Sequence, residues 1–228
     1  VAFTGSTDAA NAINRALASR TGPIATLIAE TGGQNAMIVD STALPEQVCR
    51  DVLSSAFDSA GQRCSALRVL YLQEDVADKM LGLILGAMDE LKLGDPMLLE
   101  TDIGPVIDEE ARANLQKHAD TIVKEAKLLK KLPVPAELSS GVFFPPHVFE
   151  ISGIQQLKRE VFGPVLHVAR WKADELDKVC DAINATGYGL TLGIHSRIDA
   201  TAEFIRDRVH AGNVYVNRNQ IGAVVGVQ

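Results

Sequence analysis

Cys64 stands in Gly61-Gln62-Arg63-Cys64-Ser65, a polar setting between the end of a helical pattern and the start of an apolar run. A thiolate there is a nucleophile able to form a covalent intermediate and so divide one difficult step into two easier ones. A free cysteine has a pKa of about 8.5, so the thiol needs help to ionise. Arg63 and nearby backbone amides favour the charged form, whereas the negative end of the preceding helix opposes it. Cys49 and Cys180 fall on apolar positions of helical patterns and read as small buried hydrophobes.

Glu30 is the second candidate. It ends the short apolar run IATLIAE and is followed by Thr31-Gly32-Gly33, where the backbone can bend and let another group approach. Alone it reads as a solvated strand end, the usual place for a carboxylate. Beside an activated thiol it reads as a general base. No histidine neighbours Cys64 in sequence, so a cysteine–histidine hydrolase has no local support. The five histidines show no i,i+4 pair with a carboxylate and the three cysteines no CxxC pair, which gives neither a metal site nor a disulfide framework. Unpaired cysteines fit a reducing compartment, hence a cytoplasmic location.

The elements that must position these residues alternate between the two types. The opening VAFTG reads as the end of a strand, and Ala9, Ala10, Ile13, Ala16 and Leu17 follow at helical spacing. Ile24 to Glu30 and Asn35 to Asp40 read as two strands around a glycine hinge. The pattern from Pro45 to Ala60 predicts a helix closed by Gly61. A strand at Arg68 to Leu72 and a helix at Val76 to Leu91 come next, ended by the turn Gly94-Asp95-Pro96. Helices are expected over Asp108 to Leu129, Ala173 to Asn184 and Ala200 to His210, with strands at Val165 to Arg170, Leu190 to His195 and Asn213 to Asn217. Lys124 to Lys131 reads as the solvated face of the first of these helices, and FFPPHVF as a Pro-rich connection. Such alternation predicts an α/β fold with a largely parallel sheet flanked by helices.

Composition narrows the partners. The chain has 228 residues, 46% of them hydrophobic, with a formal net charge of −7. That is enough for one large domain, or one domain with a piece of another. The negative balance opposes a sequence-independent grip on nucleic acid through this segment. No window supplies the roughly 20 apolar residues of a membrane span. With Val1 rather than Met at its start, and a strand already under way, the chain reads as a fragment.

Glu30-Thr31-Gly32-Gly33-Gln34-Asn35 and, thirty-four residues after the glutamate, Gly-Gln-Arg-Cys64 closely resemble the paired signatures of the aldehyde dehydrogenase superfamily. Phe3-Thr4-Gly5-Ser6-Thr7 and Glu160-Val161-Phe162-Gly163-Pro164-Val165 agree with it in order and spacing. Asn213-Val-Tyr-Val-Asn-Arg-Asn, Gln220-Ile-Gly-Ala-Val-Val-Gly-Val-Gln228 and Cys64-Ser65 resemble the glutamate-semialdehyde dehydrogenase module of bifunctional proline utilisation A proteins.

The resemblance covers essentially the whole chain and implies an aldehyde dehydrogenase-like fold: residues 1-32 as the tail of an NAD-binding domain, 33-217 as the catalytic thiol domain, and 218-228 as the start of a truncated substrate-anchor loop. It implies NAD as cofactor, with Gly5, Ser6, Gly32, Glu160 and Phe162 as its contacts, Cys64 as nucleophile, Glu30 as the base that activates water, and Ser65 as a substrate contact. FAD would belong to a separate domain of a bifunctional parent. The implied reaction is oxidation of L-glutamate γ-semialdehyde to L-glutamate through a thiohemiacetal and a thioester. An asparagine that completes the oxyanion hole is expected upstream of Val1. Homo-oligomers are expected of the full protein. A dehydrogenase for another semialdehyde, and a catalytically inert folded unit, are the alternatives.

Overall fold

A computed structural model describes residues 1–224 and 226. Residues 225, 227 and 228, the end of the expected substrate-anchor segment, lie outside the described residues. The chain opens with strand β1 (Ala2–Thr4), helix α1 (Thr7–Ala18) and strand β2 (Ile28–Glu30). β1 and β2 pair in parallel as a separate two-stranded sheet. Ser6 caps α1 by accepting a hydrogen bond from the Ala9 amide at 3.2 Å. Little of this unit is covered: Ala10 is the one buried residue of α1, and all three residues of β2 are exposed.

The remaining strands form one seven-stranded sheet. They are β3 (Ala36–Val39), β4 (Val69–Gln73), β5 (Lys127–Lys131), β6 (His147–Glu150), β7 (Val165–Trp171), β8 (Thr191–His195) and β9 (Asn213–Val216), in spatial order β5-β6-β7-β4-β3-β8-β9. All neighbours are parallel except β5 with β6. The expected α/β class with a largely parallel sheet is therefore what the chain adopts. Every residue of β3, β4 and β8 is buried, so helices must cover both faces, as parallel sheets require. The helices are α2 (Pro45–Phe57), α3 (Glu74–Met88), α4 (Glu109–Ile122), α5 (Leu176–Asn184) and α6 (Asp199–Arg208). Among the described residues, no helix is long and apolar enough to cross a membrane.

Two expectations are corrected. The Asp108 to Leu129 helix ends at Ile122, and Lys127–Lys131 forms the antiparallel edge strand β5 instead of a helix face. Lysine suits an edge, where charge discourages pairing with another chain. The FFPPHVF connection contains β6: its prolines end at Pro146, immediately before the strand, where no ladder amide is lost.

Candidate active site

Because β3, β4, β7 and β8 run in parallel and in register, the segments that enter them share one edge of the sheet. Those segments carry Asn35, Cys64 to Arg68, Glu160 to Pro164, and Leu190. Cys64 thus sits at the amino edge of the large sheet, whereas ligands of open α/β sheets usually bind at the carboxyl edge. Glu30 arrives differently, at the carboxyl end of β2. The site lies where the exit of the small sheet meets the entrance of the large one.

The loop before Cys64 is forced into an unusual path. The Pro45 to Ala60 helix stops at Phe57, and Ser59 (φ 56°), Ala60 (φ 52°) and Gly61 (φ 64°) are all left-handed. A left-handed conformation costs a residue with a side chain roughly 1–2 kcal/mol. Gly61 must be glycine on a second count, because a Cβ there would overlap the backbone carbonyl of Gly163. The turn releases Arg63 and Cys64 to the surface, while Ala66, Leu67 and Arg68 return to the interior.

Asn35 fixes the thiol from behind. Its Nδ2 donates to the carbonyls of Cys64 at 2.7 Å and Ala66 at 2.9 Å, and its Oδ1 accepts from the Thr191 amide at 3.2 Å. The Ser65 carbonyl accepts from Thr191 Oγ1 at 3.2 Å and Gln220 Nε2 at 3.3 Å. With the carbonyls on either side held, the Cys64 amide N–H has no acceptor among the described residues.

Arg68 ties this loop to the next. Its Nη1 donates to the carbonyls of Gly61 at 2.7 Å and Gly163 at 3.3 Å. Its Nη2 donates to the Arg63 carbonyl at 2.9 Å and to Glu160 Oε1 at 3.1 Å. Burial pushes the guanidinium down from its usual pKa, and the Glu160 carboxylate opposes that shift. Gly32 completes the contact, since a Cβ on it would overlap the Glu160 carboxylate.

The expected site residues fall into groups. Cys64, Gly32, Glu160 and Phe162 converge around Arg68, whose guanidinium lies 5.3 Å from the Phe162 ring centroid. Phe162 is 45% exposed, which is not the packing of a core aromatic. Glu30 lies two residues before Gly32, and its carbonyl accepts from the Gly5 amide at 3.1 Å, which brings Gly5 to the same end of the small sheet. The Ser6 hydroxyl serves the α1 cap, and the half-buried Ser65 adjoins the thiol.

Of the two cysteines expected to be buried hydrophobes, Cys180 is buried, whereas Cys49 is only half-buried. Burial raises the thiol of Cys49, helped by Glu46, and pushes that of Cys180 up to about 11. The buried His167 bonds to the half-buried His118 and the buried His147 to the Pro145 carbonyl, while His195 Nε2 lies 3.5 Å from Asp51 with neither ring nitrogen hydrogen-bonded among the described residues. Among the described residues, no group of three His, Cys, Asp or Glu side chains could hold a metal ion.

Asn35 and Arg68 were not singled out by sequence reasoning. Asn35 stood inside a quoted motif without a role. Arg68 had a signal of its own, a charge between Leu67 and Val69 in an otherwise apolar strand entry.

Comparison with known proteins shows the family and the fold. Residues 1–227 match the aldehyde dehydrogenase family. The chain is 54% identical over 236 residues to the bifunctional protein PutA of Klebsiella aerogenes, covering all of this chain and 18% of that protein. It is 36% identical over 233 residues to the 1-pyrroline-5-carboxylate dehydrogenase of Geobacillus sp. (strain WCH70), covering 44% of that enzyme. A crystal structure of a Bradyrhizobium japonicum proline utilization A variant superposes with a TM-score of 0.96 at 59% identity, over all of this chain and 23% of that one. A Thermus thermophilus 1-pyrroline-5-carboxylate dehydrogenase variant superposes at 0.90 with 33% identity, over all of this chain and 44% of that one. The chain therefore spans less than half the length of each of these relatives.

Proposed function

The chain belongs to the aldehyde dehydrogenase family, and from that membership we propose that its parent protein oxidises L-glutamate γ-semialdehyde to L-glutamate with NAD, using Cys64 as nucleophile and Glu30 as base. The observation that carries the reading is the exposed Cys64 thiol on a loop whose carbonyls are held from behind by Asn35 and Arg68. The substrate assignment rests on likeness to relatives named for 1-pyrroline-5-carboxylate and proline utilization.

The residues present fit the ribose end of NAD. Glu160 offers a carboxylate with one oxygen held by Arg68 and no other hydrogen bond among the described residues, and Gly32 packs against it so closely that any side chain there would collide with it. Phe162 adds an exposed ring, and Gly5, Ser6 and the start of α1 add a helix N-terminus, which favours the negative pyrophosphate. Bound NAD supplies the hydride acceptor for the oxidation.

Cys64 Sγ attacks the aldehyde carbon, forming a C–S bond and a thiohemiacetal. The unclaimed Cys64 amide N–H is placed to stabilise the oxyanion that develops. After the substrate carbon has lost its hydride, a thioester remains on Cys64. Glu30 takes a proton from water, the hydroxide adds to the acyl carbon, and the C–S bond breaks to release carboxylate and thiol. Ser65 is placed beside the nucleophile as a substrate contact. We further propose the boundaries 1-32, 33-217 and 218-228 for the cofactor, thiol and anchor segments, the first of which matches the separate small sheet.

The full-length parent protein tests this by NAD reduction on several semialdehydes. Cys64→Ala should abolish turnover. Glu30→Gln should retain a first-turnover burst of NADH while steady-state turnover falls by about 10²–10⁴. A clear preference for another semialdehyde would remove the substrate assignment, and an active Cys64→Ala variant would remove the mechanism.

A further inference from the structure

Arg68 heads the large side chains that are fully buried among the described residues. An arginine is rarely so placed unless its charge and donors are met. Four of its five N–H groups are used; Nε is buried with no partner among the described residues. The acceptors are not scattered through the core. Two are carbonyls of the thiol loop, Gly61 and Arg63, and two lie on the next loop, the Gly163 carbonyl and the Glu160 carboxylate.

Nη1 bridges the two loops through Gly61 and Gly163, and Nη2 bridges them again through Arg63 and Glu160. Two parallel bridges from one rigid plane hold separation and tilt together, which a point donor on a flexible stem does not do. The loops also touch directly, since the place of a Cβ on Gly61 is filled by the Gly163 carbonyl. A shift of Glu160 must therefore be felt at the Arg63 carbonyl, one residue from the nucleophile.

We propose that Arg68 is a positioning residue that couples the Glu160 loop to the Cys64 loop, so that occupancy of the cofactor site is transmitted to the thiol. The inference rests on the reading of Glu160 as a cofactor contact given above. It predicts a coupling between two sites, and lysine, which cannot span four acceptors, should break that coupling while keeping the charge.

The test uses the full-length parent protein. Calorimetry gives the affinity for NAD, and mass spectrometry gives the rate at which iodoacetamide modifies Cys64, with and without saturating NAD. In the wild type, saturating NAD should change that rate by about tenfold or more. In folded Arg68→Lys the ratio should fall to within about twofold, even at NAD concentrations that saturate the variant. A ratio unchanged in Arg68→Lys means that NAD merely shields the thiol, and overturns the proposal. If Arg68→Lys does not fold, Glu160→Ala keeps the three carbonyl contacts of Arg68, removes the fourth acceptor and should likewise lower the ratio at saturating NAD; an unchanged ratio there overturns the proposal too. Absence of NAD binding to the wild type overturns the functional reading itself, a result distinct from NAD binding without coupling.

Discussion

At the scale of single residues, the three cysteines should separate by reactivity. Cys64 is exposed, Cys49 half-buried with its thiol raised, and Cys180 buried with its thiol at about 11. Iodoacetamide at pH 8 should modify Cys64 well before the other two, as peptide mapping would show; equal slow labelling would indicate an inert thiol. Asn35→Asp puts an acceptor against the carbonyls of Cys64 and Ala66, both of which need a donor. It should cost about 2–4 kcal/mol in denaturant titration, and Asn35→Ala somewhat less. Cys64 and Glu30 stand out in the sequence because each is a reactive type in a motif with matching spacing, and the structure leaves both exposed at loop or strand ends. Asn35 and Arg68 were harder to read because their work is done through backbone carbonyls, and no sequence pattern states which carbonyls a fold leaves unpaired.

At the scale of elements, the turn between α2 and β4 is the most demanding segment. Gly61→Ala would place a methyl on the Gly163 carbonyl at a left-handed position, so the two loops must part. We expect a stability loss of roughly 2–4 kcal/mol and a fall in turnover, checked by thermal melting and NAD reduction. Ser59→Val, a β-branched residue at φ 56°, should be costlier than Ser59→Gly by about 1–2 kcal/mol. The sequence showed a glycine that stops a helix. It did not show that the helix would end at Phe57 and that two non-glycine residues would turn left-handed first, because tertiary packing imposes that path. For the same reason Lys127–Lys131 was read as helix: Leu128 and Leu129 fit either period, and only the neighbouring β6 makes the segment a strand.

At the scale of the whole molecule, buried histidines set the response to acid. His147 is lowered to about 4 and His167 to about 3, chiefly by burial, from an ordinary value of about 6.5. His167 Nδ1 faces the Arg68 carbonyl, so it carries the proton and Nε2 accepts from His118. Between pH 6.5 and about 4 the unfolded chain takes up protons that the fold refuses, so stability present above the unfolded pKa is lost as pH falls. Tm should decline through this range, and His147→Phe should flatten part of the decline; a Tm independent of pH there would contradict the burial. Covering also differs across the chain, and in the isolated chain amides of β1, α1 and β2 should exchange hydrogen faster than those of β3, β4 and β7. The strand order carries a last consequence, for synthesis. β3 lies between β4 and β8, and the bond from the Thr191 amide to Asn35 closes a loop of 156 residues. At about 5–20 residues per second, one edge of a wholly apolar central strand waits roughly ten to thirty seconds for its neighbour to leave the ribosome. A nascent chain stalled before Thr191 should therefore bind a chaperone that recognises extended apolar segments, and one stalled after Val216 has emerged should release it.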